Sequence, residues 1–526
     1  MDFQELISDL RARHNVVPVR AEETSADEVY LHVRPEDFHD ACLGLHKILQ
    51  QPVWMLSAAD ERRRQGGFQV LAVFPAPKLK KWVFVAMALE AGRPRYPSVA
   101  KDMFSAHLFE RSLHEMFGIV PEGNPDLRRL NLHDEVWPEG SCPLRKDFVP
   151  PAAFDGTGKK YPFIKGEGEG IFEVPVGPVH AGIIGPGHFR FTAAGEPIIN
   201  LELRLGFTHR GAEKHFEGKD AGGAAARAEC VAGDAAFAHG LAFCHAVEKI
   251  NGVPVPVRAQ LLRAVFLELE RLYNHASDIG GMAVDVGFSF PSALASLIKE
   301  KILRLNQRLT GHRYLKGVNA VGGLLRDITP EQALEIREAL ADAEKDFRDL
   351  RAMLFASVSF MDRVDSTGVL KKRTARDLGV KGLAGRASGI PQDLRKDFPG
   401  VYESLGFRIC LEEPGDVLAR LRVRLSEFEE SARLIRAALA QLPAGDVRAG
   451  SGRSKPGFAL GCAESWRGPV LYWVRISEDG AVDRCHIVDP SVQNWQGLAY
   501  CVLGDIIPDF PLCNKSFDLS YAGNDL

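Results

Sequence analysis

Residues 206–249 constrain the fold more than any other part of this sequence. The stretch gathers charged and ionisable side chains into a few turns, bends through glycines and alanines, and enters a helical segment with His239 and His245. Because small residues let backbone segments approach closely, charged groups before and after the bend can face one cavity. The tail at residues 507–526 is rich in Pro, Phe and Leu, so we expect it to pack against that cavity.

The size and composition of the chain limit the classes of protein to which it can belong. At 526 residues it is too long for one ordinary core, so we expect two or three domains. A net charge of -4 gives no electrostatic reason to expect a nucleic-acid partner. Nine dispersed cysteines without a C-x-x-C pair are typical of reduced cytosolic thiols, and none has the spacing of an iron–sulfur cluster site. We find no signal-peptide pattern and no apolar run long enough to span a membrane.

The residue pattern of the first part of the chain predicts a small α/β domain. A helix at 2–13 and another at 36–50 accompany β-rich runs at 28–33, 52–58, 67–75 and 81–88. A further helix at about 102–117 is expected to end at Gly118, a natural C-cap. The charged segment after it, taken alone, is typical of a solvated loop. Residues 150–170 have the Pro, Gly and Lys content of an interdomain linker.

The remainder reads as mainly helical, which makes the whole chain an α+β protein. A small antiparallel sheet is predicted directly after the linker. Long helices are predicted at 256–277, ending before Gly280 and Gly281, and also at 292–310, 331–361 and 416–441. Residues 469–488 then predict a β-hairpin around a Glu-Asp-Gly turn.

Residues 97–148 resemble the 30-kDa subunit of respiratory complex I. The matching residues are Glu110-Arg111, Met116-Phe117-Gly118-Ile119, Asn124-Pro125-Asp126-Leu127-Arg128-Arg129 and Pro143-Leu144-Arg145-Lys146-Asp147-Phe148. The family's Asp before Phe117 is absent, and Asn124 replaces its His. The resemblance implies that this segment is an assembly surface and not a redox centre.

Residues 175–526 resemble the large subunit of group 4 nickel–iron hydrogenases and its relative, the 49-kDa quinone-site subunit of complex I. The matching motifs include Gly177-Pro178-x-His180, His209-Arg210-Gly211-x-Glu213-Lys214, Glu268-Leu269-Glu270-Arg271, Arg386-Ala387-Ser388-Gly389 and Pro490-Ser491-x-x-Asn494. A 30-kDa-like part ahead of such a subunit is the layout of the hydrogenase-4 and formate hydrogenlyase type. It implies a 30-kDa-like domain at 1–149, a linker at 150–170 and a large-subunit domain at 171–526.

The nickel ligands of that family are missing from this sequence. Nickel there is held by four thiolates from two C-x-x-C motifs, because soft, deprotonated sulfur suits the metal. The resemblance places Ala232 and Ala235 at the first pair of positions, and Ser520 and Gly523 at the second. Methyl, hydroxyl and hydrogen do not replace thiolate, so we expect neither a metal in this chain nor hydrogenase catalysis. These four residues are called the replaced positions below.

Quinone remains a possible ligand by the same resemblance. In complex I a His after the entry motif and a Tyr on the helix after the bend bind the quinone headgroup. His180 matches the first His of the entry, and His188 is a less certain counterpart of the quinone-contacting one. The Tyr position falls near Gly233, and no Tyr occurs between Tyr161 and Tyr273. Another small molecule or an empty polar cavity is equally compatible.

The candidate catalytic residues are His180, Glu213 and Asp234. Glu213 is a proton-relay candidate if burial raises its pKa, with an ion pair to Arg210 or Lys214 as the alternative. Asp234 lies between two replaced positions, with a salt bridge to Arg467 as its alternative. The full predicted cavity set is His180, His188, His209, Arg210, Glu213, Asp234, His239, Arg467, Asp518 and Ser520. Within that set we expect His239 to pack or cap rather than to ligate.

These features predict a peripheral-arm subunit of a membrane-bound, complex I-like or hydrogenase-4-like oxidoreductase. It would form the former nickel–iron or quinone cavity and couple electron transfer to ion translocation. The expected partners are a small subunit that carries an iron–sulfur cluster and antiporter-like subunits of the membrane arm. The expected location is the cytoplasmic face of the cell membrane. A reductase of quinone or another acceptor, and a purely structural assembly subunit, are the two alternatives.

Overall fold

The computed structural model describes residues 2–151, 156–182, 184–450 and 452–526. Its first part is one five-stranded sheet with helices packed on it, in the strand order β1-β2-β5-β4-β3. Only the β2–β5 pair is parallel. The elements are α1 (Phe3–His14), β1 (Arg20–Ser25), β2 (Glu28–His32), α2 (Phe38–Leu49), β3 (Met55–Asp60), β4 (Gly67–Ala76) and β5 (Lys81–Glu90). The predicted helices and the predicted strands of this sheet are confirmed. The polar edge strand β1 was not predicted, because its side chains are largely exposed.

A second group of elements completes this part: β6 (Arg95–Pro97), α3 (His107–Phe117) and β7 (Val120–Glu122). Gly118 ends α3 with a φ of 69°, as predicted for its C-cap. The charged segment that follows is not a solvated loop. Buried Glu115 accepts hydrogen bonds from the backbone amides of Leu130 and Leu132, because α3 supplies the acceptors that this loop lacks.

The predicted antiparallel sheet after the linker is confirmed, with the strand order β10-β9-β8. Its strands are β8 (Ile171–Val176), β9 (His188–Ala194) and β10 (Ile198–Arg204). Within the described part of the linker, Tyr161 lies beneath the guanidinium groups of Arg128 and Arg204, at 5.1 and 4.5 Å from its ring centre. The linker therefore packs on both of its neighbours, and the boundaries at 149 and 170 stay predictions.

Helices dominate the region from residue 212 to residue 440. In chain order they are α4 (Ala212–Phe216), α5 (Ala225–Ala228), α6 (Ala236–Asn251), α7 (Val257–Asp285), α8 (Ser289–Thr310), α9 (Pro330–Ala356), α10 (Val358–Val364), α11 (Lys372–Leu378), α12 (Gly382–Ala387), α13 (Leu394–Asp397), α14 (Tyr402–Leu405) and α15 (Val417–Ala440), with the short strands β11 (Asn319–Ala320) and β12 (Gly323–Leu324) after α8. The predicted helix at 331–361 is two helices, because Ser357 is extended, ends α9 and caps α10.

The predicted end of α7 before Gly280 and Gly281 is wrong. The helix runs through both glycines to Asp285. A Cβ on Gly280 would lie 2.9 Å from the Cβ of Ala295 on α8, and one on Gly281 would meet the side chain of Lys515 at 2.0 Å. The glycines are therefore contact points for neighbouring elements and not a helix stop, a distinction that only tertiary packing makes.

The C-terminal part joins the two halves of the molecule. The predicted hairpin is confirmed as the central and outer strands of a three-stranded antiparallel sheet. The elements are β13 (Gly457–Glu464), β14 (Pro469–Ile476), β15 (Val482–Val488), α16 (Ser491–Cys501), α17 (Phe510–Phe517) and α18 (Tyr521–Asp525). Trp473 and Leu471 of β14 belong to the core of the N-terminal sheet, so the two parts share buried apolar surface. The mixture of sheets and helices confirms the α+β class.

Buried ionised side chains occupy the centre of the helical part. Arg386 is fully buried and contacts the carboxylates of Glu427 at 2.7 Å, Glu464 at 2.9 Å and Asp393 at 3.1 Å. His275 is also buried, and its Nε2 lies 2.8 Å from a carboxylate oxygen of Glu427. The members of this charged core are Glu268, Arg271, His275, Arg386, Asp393, Arg395, Glu427 and Glu464.

Candidate functional site

The first pair of replaced positions forms a closed apolar contact. Ala232 and Ala235 lie in the loop before α6, and each is 1% exposed. Both methyl groups belong to a small buried cluster with the ring of Trp466, which follows β13. Because close-packed interiors leave little free volume, these methyl groups occupy the space that longer side chains would need.

The second pair of replaced positions, Ser520 and Gly523, is also held by contacts with other protein groups. The backbone amide of Ser520 donates to the Ser491 hydroxyl, and the Ser520 hydroxyl accepts from the amide of Gly523, both at 2.9 Å. Ser520 is therefore the N-cap of α18 and not a free nucleophile. A Cβ on Gly523 would lie only 2.6 Å from Oδ2 of Asp489. That carboxylate is buried and held by His239 at 3.1 Å.

Two arginines connect the loop before α6 to the C-terminal segment. Arg467 donates from both Nη atoms to Asp234, at 2.9 and 2.6 Å, and from Nε to the carbonyl oxygen of Asp518. Arg210 donates to the carbonyl oxygen of Val231 at 2.6 Å and to that of Ala522 at 3.4 Å. The two segments that carry the replaced positions are therefore tied together by charged side chains.

The residues at the replaced positions do not fit nickel. Two are methyl groups against an indole, one is a capping hydroxyl, and one is a glycine pressed against a carboxylate. Among the residues that the structure describes, no three or more His, Cys, Asp or Glu side chains are grouped to hold a metal ion. Nickel in such a site needs thiolate donors, so no step of a reaction is assigned to nickel here.

The ion pair between Asp234 and Arg467, which the sequence offered as an alternative, is observed. Next to it, Asp518 is paired with Lys515 at 2.8 Å. Burial raises the pKa of Asp518, but Lys515 and Arg467 outweigh it and hold that pKa well below its usual range. Burial and the adjoining Asp518 carboxylate raise the pKa of Asp278 on α7 well above its ordinary value. Asp278 escaped prediction because its buried partner Arg424, at 2.9 Å, lies 146 residues away in sequence.

The pKa of Glu213 and its ion-pair partners differ from those that the sequence predicted. It pairs with Arg484 and with Nδ1 of His486, both at 2.7 Å, and accepts from the amide of Ile487 at 2.8 Å. Burial raises the pKa of Glu213, but these β15 partners lower it to about 2. The expectation of a raised pKa is therefore wrong, and neither Arg210 nor Lys214 is its partner. The partners lie some 270 residues away in sequence, which hid them from local reasoning.

The side chain of His180 contacts Tyr521, which was not among the predicted site residues. Its Nε2 lies 3.3 Å from the hydroxyl of Tyr521, the residue after Ser520, and its Nδ1 lies 3.2 Å from the carbonyl oxygen of Pro178. Burial raises the pKa of Tyr521 to about 12, so the phenol stays protonated. His188 directs Nδ1 to the carbonyl oxygen of Gly177 at 3.3 Å. A histidine–tyrosine pair thus forms beside the replaced positions from two distant segments.

The two remaining predicted histidines are held by their ring nitrogens. His209 bonds through Nδ1 to the carbonyl oxygen of Asp525 at 2.6 Å. His239 is fully buried between the hydroxyl of Tyr472 at 2.9 Å and Asp489 at 3.1 Å. Both ring nitrogens of His239 are occupied by protein groups, which agrees with the predicted packing role.

A buried carboxyl group behind the loop was not foreseen as part of the site. Glu270 of α7 is fully buried and accepts from the amides of Phe237 and Ala238, at 2.7 and 3.1 Å. Burial raises the pKa of Glu270 to about 8, and neighbouring Asp234 adds to the shift. Glu270 therefore carries a proton over much of the neutral range. The glutamates two residues apart on a helix with an apolar face were the signal that could have revealed it.

Gly523→Ala tests how tightly the site is closed. Because the new methyl group would contact the buried Asp489 carboxylate, we expect a loss of about 1–3 kcal/mol in the free energy of unfolding. Gly233→Ala is the matched control, since a Cβ there meets nothing within 4 Å. Urea titrations of both variants measure the difference, and equal midpoints would contradict the closed packing.

Two family models of complex I subunits match this chain. The family model for the 30-kDa subunit of respiratory-chain NADH dehydrogenase matches residues 31–153, and that for the 49-kDa subunit matches residues 285–456. Formate hydrogenlyase subunit 5 of Escherichia coli K12 is 33% identical over 488 residues, covering 90% of this chain and 85% of the relative. Hydrogenase-4 component G of the same organism is 32% identical, covering 90% and 84%.

A solved structure gives a similar result. It is that of the membrane-bound sulfane sulfur reductase, an archaeal respiratory membrane complex, with a TM-score of 0.64 and 26% identity, covering 68% of this chain and 98% of the other. None of the helices in the described residues combines the length and apolar character needed to cross a membrane. With its two complex I-like parts in one polypeptide, this chain belongs to the family of formate hydrogenlyase subunit 5 and hydrogenase-4 component G, related to the 30-kDa and 49-kDa subunits of complex I.

Proposed function

We propose that this protein is a peripheral-arm subunit of a membrane-bound, complex I-like or hydrogenase-4-like oxidoreductase. It forms one wall of the cavity between a partner that carries an iron–sulfur cluster and the ion-translocating membrane arm. It couples electron transfer to ion translocation without a nickel–iron site of its own. The similarity to subunits of such complexes supports this placement.

The observation that carries the proposal is the closure of the replaced positions by neighbouring protein groups, with Arg210 and Arg467 tying together the two segments that carry them. A site closed by protein groups leaves the electron-transfer centres to other subunits. The nine cysteines of this chain agree with that role, because they are all unpaired and dispersed in sequence. Arginines that hold two segments by charged hydrogen bonds give the cavity wall a fixed shape.

Purification of the native complex through a tag on this chain tests the proposal. We expect iron and acid-labile sulfide from a partner subunit, antiporter-like membrane subunits in the same preparation, and ion uptake by vesicles during electron transfer. Nickel is expected only in traces, without hydrogen uptake or evolution. Stoichiometric nickel with hydrogen turnover would contradict the proposal.

Reduction of a quinone or another acceptor at this chain is the second candidate, and the pair of His180 and Tyr521 favours it. A histidine and a protonated phenol can together hydrogen-bond a carbonyl oxygen and supply protons to it. His180→Ala and Tyr521→Phe are then expected to abolish acceptor reduction in an assembled complex. His215→Ala, which alters an exposed histidine on α4, is the control and should retain activity.

A purely structural role makes a different prediction. Arg128 contacts Asp126 in its own loop and Glu202 on β10, so it links the N-terminal part to the sheet after the linker. If the subunit only assembles the complex, His180→Ala and Glu213→Gln leave electron transfer unchanged. Changes in Arg128 and Arg129 would then dissociate the complex, as a native gel or gel filtration would show.

A further inference from the structure

A separate cavity of about 120 Å³ lies between the N-terminal part and the rest of the chain. It is bordered by α3, by α4 and β15, and by the C-terminal residues after Tyr521. Its walls are mainly apolar, and include Leu108, Met116, Leu144, Leu205, Val492 and Trp495. None of the replaced positions lines this cavity, so it is distinct from the closed nickel-type site.

Two residues of the lining carry a buried polar atom without a hydrogen-bond partner among the described residues: Nε2 of His486 and Nε1 of Trp495. His486 is 8% exposed and lines the cavity, and its Nε2 has no hydrogen-bond partner among the described residues. Its Nδ1 lies 2.7 Å from Oε1 of Glu213. Because Glu213 is ionised and can only accept, Nδ1 of His486 donates to it, and Nε2 is the ring nitrogen that is left for a ligand.

The charged groups around His486 already have protein partners. On β15, Arg484 is paired with Glu213, and on α4, Lys214 is paired with Glu217 at 2.8 Å. On α3, Arg111 donates to the carbonyl oxygens of Arg128 and Arg129, and Glu115 accepts from loop amides. The ring of His209 is held by the carbonyl oxygen of Asp525. Each of these charged side chains is thus engaged by other protein groups, which favours an uncharged ligand.

The size of the cavity sets the size of that ligand. Dry apolar cavities of about 150 Å³ hold one molecule of benzene. A buried polar nitrogen without a partner lowers stability, so a ligand that forms a hydrogen bond with it gains affinity. We propose that this cavity binds a small uncharged apolar molecule, about one ring in size, whose hydroxyl group forms a hydrogen bond with Nε2 of His486.

This site goes beyond the proposed function and does not depend on it. Its occupant would contact α3 on one side, and Asn524 and Leu526 at the C-terminal segment on the other. A ligand there would strengthen the contact between the N-terminal part and the segment that carries two replaced positions.

Phenol and toluene test the proposal, because they have nearly the same shape and differ in the hydroxyl group. Calorimetric titration of the purified full-length chain gives the ratio of their affinities, which cancels the contribution of the ring. We expect this ratio to fall about tenfold or more in His486→Phe, because the hydrogen-bond partner of the hydroxyl group is lost. An unchanged ratio would overturn the proposal.

A second variant keeps the proposal testable if His486→Phe does not fold. Val492→Phe places a larger side chain in the cavity lining and leaves Glu213 and His486 in place, so we expect it to prevent binding of both probes. Binding of phenol to Val492→Phe as tightly as to the wild type would place the ligand elsewhere and overturn the proposal. Failure of both probes to bind the wild type up to their solubility limits would mean that the cavity holds water only.

Discussion

Replacement of Arg386 by alanine is expected to abolish folding of the helical part at neutral pH. The guanidinium group is fully buried and is the common partner of Glu427, Glu464 and Asp393. Removal of one partner from a buried ion pair costs about 3–5 kcal/mol, because the remaining charge stays buried without compensation. Since domains are stable by only about 5–15 kcal/mol, loss of this shared partner consumes most of the stability.

The measurement is a urea or thermal unfolding curve, together with the soluble yield of the variant. Arg373→Ala is the matched control, since that arginine on α11 is 95% exposed and pairs only loosely with Asp377 at 3.8 Å. We expect its stability to stay within about 0.5 kcal/mol of the wild type. A well-folded Arg386→Ala protein that unfolds at the wild-type midpoint would show that the charged core is not needed for stability.

Glu270 is expected to make the stability of the protein fall as the pH rises through neutrality. Burial raises its folded pKa from 4.5 to about 8, so the folded protein prefers the protonated acid. The contribution of this group is fully present below about pH 4.5 and is lost as the pH rises through 8. The steepest loss is about 1.4 kcal/mol per pH unit, with a total of a few kcal/mol.

Comparison of Glu270→Gln with the wild type between pH 5 and pH 9 isolates this effect, because glutamine does not ionise. We expect the stability advantage of the wild type over the variant to shrink steadily across that range. Glu338→Gln, at an exposed position of α9, should follow the wild-type curve. Parallel curves for wild type and Glu270→Gln would mean that the Glu270 carboxyl is ionised in the folded protein.

Glu270 is also relevant to the proposed coupling of electron transfer to ion translocation. It accepts hydrogen bonds from the amides at the start of α6, directly after the loop that carries Ala232 and Ala235, and Asp234 is part of that loop. A carboxyl group that takes up or releases a proton near neutral pH is suited to respond to charge changes in the cavity. Glu213, which has a pKa of about 2, is not suited to that role.

Local patterns in the sequence predicted most of the helices and strands. The C-cap at Gly118, the hairpin around residues 469–488 and the packed C-terminal tail all follow from turn chemistry and apolar periodicity, which act over a few residues. The glycines of α7 were misread for the same reason. A local rule sees a helix stop, whereas Ala295 and Lys515 decide the outcome from elsewhere in the chain.

By itself, the sequence determined the α+β class, the family and the absence of thiolates at the four replaced positions, since each depends on residue identity and spacing along the chain. Only the tertiary structure decided what fills those positions, that Glu213 pairs with Arg484 and His486, and that His180 meets Tyr521. The physical reason is that a charge buried in a protein is governed by whichever groups packing brings within a few ångströms. Those groups come from segments hundreds of residues apart, so no local pattern identifies them.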